Sequence, residues 1–125
     1  MSYSSFNNLR KNIANLLDEE FGEKYFEIRY CKTSDDYIEL DRVLENIINE
    51  KHLDENYKET LDFLFMNDYD GNAPYRTCGQ IYNLIKDVDF GDKRFQYALY
   101  PGDDYENFKK FLKECYSKRR NMRWW

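Results

Sequence analysis

The stretch SDDYIELDRVLENIINEK, residues 34–51, decides how this chain folds. Leu40, Val43, Leu44, Ile47 and Ile48 recur at three- and four-residue spacing, the signature of a helix with one buried stripe. Ser34 or Asp35 supplies an N-cap oxygen at its start. At 100° per residue the opposite side collects Asp35, Ile38, Glu39, Arg42, Glu45, Asn46 and Asn49. The segment is therefore an amphipathic helix whose polar side is mostly acid and amide, with one aliphatic residue set among the charges.

The same spacing extends upstream and downstream. Phe6, Leu9, Ile13, Leu16 and Leu17 predict a helix over 4–20, with Gly22 as its stop. Over 24–32, Phe26, Ile28 and Tyr30 alternate with Glu27 and Arg29, which favours a short strand over a continued helix. Asp54 opens the next helix, with Tyr57, Leu61, Leu64 and Phe65 inward, and NDYDGN at 67–72 reads as a turn-rich loop. Thr77 and Gln80 have the spacing of a capping box ahead of Ile81, Leu84, Ile85 and Val88. Phe95, Tyr97 and Leu99 predict a strand over 95–100, broken by Pro101-Gly102. Asp103 and Glu106 then start a helix to about 118, with Phe108, Phe111, Leu112 and Cys115 as its stripe. MRWW at 122–125 predicts a last short strand, paired with 95–100. The expectation is an α+β, mainly helical fold: about five helices with a small antiparallel sheet of two or three short strands.

At 125 residues, without repeats, low-complexity tracts or linkers, the chain reads as a single domain, 1–125, able to bury a core without staples. Twelve Tyr and nine Phe make that core aromatic-rich. The three cysteines, Cys31, Cys78 and Cys115, are odd in number and widely spaced, which argues for reduced thiols. No stretch approaches the ~18 apolar residues of a membrane span, and the N-terminus lacks the pattern of a secretory leader. The expected setting is cytoplasmic, with no membrane association.

The net charge of −5 is unevenly distributed. Residues 31–70 carry 4 basic and 12 acidic groups, whereas residues 71–125 carry 11 basic and 7 acidic ones. An acidic middle facing a basic end shapes the field around the molecule.

Catalytic and metal chemistry find little support. The single histidine, His52, sits beside Lys51 at a helix end, where a surface role fits better than an acid–base one. Cys78, in the first turn of its helix, is better read as a small packed residue than as an activated thiol. One His and three scattered Cys do not make a zinc site. Aligning Gly71 with the sixth position of a calcium loop puts Met66 first and Thr77 twelfth, where carboxylates are needed. No phosphate-cradling glycine motif occurs. No enzyme activity, cofactor, metal or small-molecule ligand is expected.

Binding chemistry fits better. The outward side of 35–49, joined by Tyr57, Asp68, Tyr69 and Asp70, combines carboxylates, amides and rings, a mixture suited to a basic protein partner. The cationic end, Lys109, Lys110, Lys113, Lys118, Arg119, Arg120 and Arg123 with Trp124 and Trp125, offers a competing nucleic-acid-binding reading. The simpler account is cations complementing a helix C-terminus and a Trp pair covering the core edge.

LDFLFMNDYDGNAPYRTCGQIYNLIKD (61–87) and YENFKKFLKECYSKRRNMRWW (105–125) resemble segments of small bacterial immunity proteins that neutralise toxins of contact-dependent and other polymorphic systems. The shared pattern is an aromatic loop, a TCxxIYxxIKD-like helix, a strand, an FKxFLKxC helix and a terminal aromatic strand. It covers about half the chain. The resemblance implies a one-to-one inhibitor of a cognate toxin domain. Many such targets are nucleases with basic grooves, where an acidic patch stands in for phosphate. A phage-type DNA-mimicking inhibitor of a host nuclease would use the same acidic middle. The resemblance identifies no interface residues; those proposed above come from charge and helical phase.

Overall fold

The computed structural model describes residues 3–66, 71–88 and 105–124. Among them are six helices: α1 (Tyr3–Leu17), α2 (Glu19–Arg29), α3 (Ser34–Glu50), α4 (Leu53–Leu64), α5 (Tyr75–Ile85) and α6 (Tyr105–Ser117). Two short strands, β1 (Gly71–Ala73) and β2 (Met122–Trp124), complete an α+β, mainly helical fold.

The sixth helix comes from the segment whose alternation suggested a strand. Residues 24–29 belong to α2, and Phe21, Gly22, Tyr25 and Ile28 form its buried side at helical spacing. The helix expected over 4–20 is divided at Asp18, whose carboxylate accepts from the Phe21 N–H at 2.9 Å and starts α2 anew. Gly22 is therefore not a stop. It lies inside α2, where a Cβ would come within 2.8 Å of the Asn15 Cα, so its missing side chain allows α1 and α2 to approach closely.

The α1 helix packs against α2, α4 and α5. Leu9, Ile13, Ala14 and Leu17 are buried as its stripe requires, but so are Arg10, Lys11 and Asn12 on other sides. These side chains are partnered, although the Arg10 Nε itself has no hydrogen-bond partner among the described residues. The Arg10 guanidinium donates to the carbonyls of Phe63 (2.6 Å), Leu64 (2.9 Å) and Met66 (2.6 Å), satisfying the C-terminal end of α4. The Tyr25 hydroxyl adds a bond to the Leu64 carbonyl at 2.8 Å. Lys11 bonds the Tyr30 hydroxyl and lies over the Phe26 and Tyr30 rings, and Asn12 donates to the buried Tyr105 hydroxyl.

The remaining boundaries differ from expectation in instructive ways. Thr33, rather than Ser34 or Asp35, caps α3 by accepting from the Asp36 N–H at 3.1 Å. Pro74 precedes α5, so Thr77 and Gln80 lie inside that helix and form no capping box. In α4 the inward aromatic is Phe63, and Phe65 is exposed; in α6, Phe111 is exposed while Phe108, Leu112 and Cys115 are buried. His52 occupies the left-handed region (φ 53°) between α3 and α4, and Arg119 does so (φ 54°) after α6.

The terminal strand pairs with a different partner from the one expected. Met122, Arg123 and Trp124 lie opposite Ala73, Asn72 and Gly71 in an antiparallel two-stranded ladder. The loop expected over 67–72 thus ends in a strand. The Trp124 ring packs on Phe6 and Phe63, with centroids 5.2 and 5.7 Å away, closing the core beside α1 and α4. The strand expected over 95–100, the cap at Asp103 and Trp125 lie outside the described residues.

Candidate functional site

The α3 helix packs against α2 on one side and α4 on another, with Leu44 and Ile47 buried. Its remaining surface faces outward. Asp35, Ile38, Glu39, Arg42, Glu45, Asn46 and Asn49 are all exposed, as their helical phase requires. Ile38 is 66% exposed and its neighbour Tyr37 52% exposed, so apolar and aromatic surface lies within the charged face. Among the described residues, Asp35, Glu39, Glu45 and Arg42 have no ion-pair partner.

Tyr57 does not join this face in the same way. It is half-buried, packs against the core and lies at a kink in α4, with φ −135° and ψ 31°. Asp68, Tyr69 and Asp70 lie outside the described residues.

The end of α3 is tied to α2 by charge. The Lys51 ammonium sits 2.9 Å from the Asp18 carboxylate and 3.2 Å from Glu20. Burial pushes the Asp18 carboxyl upward, but Lys51 and the Phe21 N–H outweigh burial and hold it below the ordinary aspartate value. The hydrogen bond to Asp18 raises Lys51 in turn. This clasp ties the end of α3 to the start of α2.

The helical stripes do not foretell a cleft elsewhere in the fold. An open cleft of about 860 Å³ runs between α4, α5 and the end of α6. Tyr57, Tyr75 and Tyr116 contribute rings, Arg76 and Arg119 contribute guanidinium groups, and Asn56, Gln80 and Asn83 contribute amides. Gln80 holds the walls together: its Oε1 accepts from the Thr60 N–H (2.7 Å) and hydroxyl (2.6 Å), and its Nε2 donates to the Asn56 carbonyl (3.3 Å). Thr77 donates to Glu59 at 3.2 Å, a second tie between α5 and α4. Gly79 is the one sequence signal for this cleft. A Cβ there would lie 2.5 Å from the Tyr116 ring, which needs the bare backbone to lie flat.

Two of the three thiols are buried. Cys78 is fully buried, and burial, followed by the neighbouring Cys115, pushes its thiol up to about 12. Burial likewise raises Cys115. A group so placed stays protonated at neutral pH and is no nucleophile. His52 is exposed, 3.4 Å from Glu55. Among the described residues no group of three or more His, Cys, Asp or Glu is placed to hold a metal, and no helix is long and apolar enough to cross a membrane.

The basic end is partly committed to structure. Lys118 pairs with Glu114 at 2.7 Å, Lys109 lies 3.1 Å from Glu106, and the Trp124 ring is packed on phenylalanines. Stacking of bases on Trp124 would require that packing to open.

No protein-family model matches the chain, and no curated protein or solved structure matches it.

Proposed function

We propose that this chain is an immunity-type protein that neutralises a cognate bacterial toxin in the cytoplasm, binding one toxin domain through the outward face of α3. The observation that carries this reading is the composition of that face. Seven predicted residues are exposed together, their carboxylates lack ion-pair partners among the described residues, and Ile38 and Tyr37 lie among them. Unpaired carboxylates accelerate encounter with a basic surface, and exposed apolar and aromatic groups anchor the complex once formed. A nuclease with a phosphate-binding groove presents the complementary charge. The resemblance of 61–87 and 105–125 to immunity proteins supports the same role.

The test is co-expression with the toxin-like product of the neighbouring gene, with growth rescue and one-to-one co-purification as readouts. Rescue with a stoichiometric complex is expected. Growth arrest despite soluble expression of both proteins would overturn the reading. A location inside a prophage with no toxin gene beside it would favour the DNA-mimicking inhibitor instead.

A further inference from the structure

We infer that the cleft between α4, α5 and the end of α6 is a binding site for a nucleoside phosphate, separate from the acidic face of α3. Three observations lead there. The cleft walls carry Arg76 and Arg119 and no carboxylate, although the protein as a whole is acidic. Among the described residues neither guanidinium has an ion-pair partner, so both are available to an anion. Arg76 lies 5.8 Å over the Tyr75 ring, and the Tyr75 and Tyr116 rings stand 6.4 Å apart at 38°. Aromatic faces beside two forked cations suit a ligand that joins a planar ring to a phosphate.

Size and polarity narrow the choice. A volume of about 860 Å³ lies in the range of small-ligand sites. The Asn83 side chain lines the cleft and is engaged with no other described residue, leaving an amide to read the edge of a base.

Arg119 strengthens the assignment. It is the left-handed residue of a Schellman turn: its N–H bonds the Tyr116 carbonyl at 3.2 Å and the Arg120 N–H bonds the Cys115 carbonyl at 2.8 Å. Glycine suits that position best, so a residue there with a long cationic side chain keeps the charge at the cleft against local backbone preference.

The test uses the full chain and isothermal titration with AMP, ADP, GMP and UMP, with adenosine and inorganic phosphate as partial ligands. At least one nucleotide is expected to bind with millimolar or better affinity, and adenosine and phosphate each to bind about tenfold more weakly. Arg119→Gly relieves the left-handed strain, so the melting temperature should hold or rise while nucleotide affinity falls about tenfold. Arg76→Ala on the exposed side of α5 should weaken binding to a similar degree. No saturable binding by any of the four nucleotides would overturn the assignment. So would affinity unchanged by both substitutions, phosphate binding as tightly as AMP, or a single-stranded RNA decamer binding far more tightly than any mononucleotide.

Discussion

The side-chain Oε1 of Gln80 accepts two hydrogen bonds from Thr60, 2.7 Å from its N–H and 2.6 Å from its hydroxyl. The same amide donates to the Asn56 carbonyl at 3.3 Å. Thr60 N–H and Asn56 C=O are the two ends of one rung in a regular helix, so α5 reaches into the ladder of α4. The kink at Tyr57 lies between them, and an inserted side chain is a recognised cause of such kinks. Gln80→Met removes the amide while keeping the volume. It should cost about 2 kcal/mol, because partly buried groups on α4 lose their partner. Urea unfolding measures this, and a loss below about 0.5 kcal/mol would mean that α4 closes its own rung without Gln80.

Arg10 plays the corresponding part at the other end of α4. Its guanidinium is fully buried, donates to the carbonyls of Phe63, Leu64 and Met66, and lies 5.4 Å over the Phe63 ring. Arg10→Met leaves a buried helix end without its donors and should cost about 3 kcal/mol or more. Arg10→Lys should recover only part of this, because all three bonds leave from Nη2 and the shorter lysine stem ends about one bond short of that position. Full recovery by Lys, or no gain over Met, measured by denaturant unfolding, would contradict this.

The Asp18–Lys51 clasp sets a pH dependence. The folded carboxyl of Asp18 lies below its ordinary value of 3.8 because Lys51 and the Phe21 N–H outweigh burial. In the folded state the group therefore gives up its proton more readily than in the unfolded chain. Its stabilising contribution is complete above the unfolded value and is lost as pH falls through the folded one. Acid unfolding of the native protein should steepen below about pH 4. Asp18→Ala should flatten that limb and cost about 1 kcal/mol at neutral pH through loss of the α2 cap. A variant with the same acid limb as the native protein would place the sensitivity elsewhere.

How far the sequence could be read depended on whether a segment's neighbours matter. For α3, one side is core and the other solvent, so the 3.6-residue period alone placed all seven outward residues correctly. For α1, packed between several helices, the stripe found Leu9 and Ile13 but gave no sign that Arg10, Lys11 and Asn12 are buried too. Their burial depends on carbonyls and hydroxyls delivered by α4, α2 and α6, which no local pattern encodes. In α2 the alternation of Phe26, Ile28 and Tyr30 imitated a strand because Phe26 and Tyr30 are drawn to the Lys11 cation rather than to the main core. Thr77 and Gln80 matched a capping box in sequence, yet their side chains serve Glu59 and Thr60 of another helix. The cleft was illegible for the same reason: Tyr57, Tyr75 and Tyr116 come from three helices and meet only in the fold.

The acidic face provides the remaining prediction. Asp35, Glu39 and Glu45 are exposed on one side of α3, away from Leu44 and Ile47, which hold the helix in place. Exposed charges that lack partners contribute little to folding but act on a charged partner at long range. Reversing all three to Lys should cost stability about 1 kcal/mol, mostly through Asp35 in the first turn of α3, while slowing association with a basic toxin domain about tenfold or more at low salt. The gap should narrow as ionic strength rises, because screening at ~0.15 M already limits these fields to about 8 Å. Ile38→Ala should act differently, leaving the association rate nearly unchanged and speeding dissociation, since a small apolar anchor matters only after contact. Stopped-flow rates for the two variants separate these effects. Association at the native rate by the triple variant at low salt would move the interface off α3.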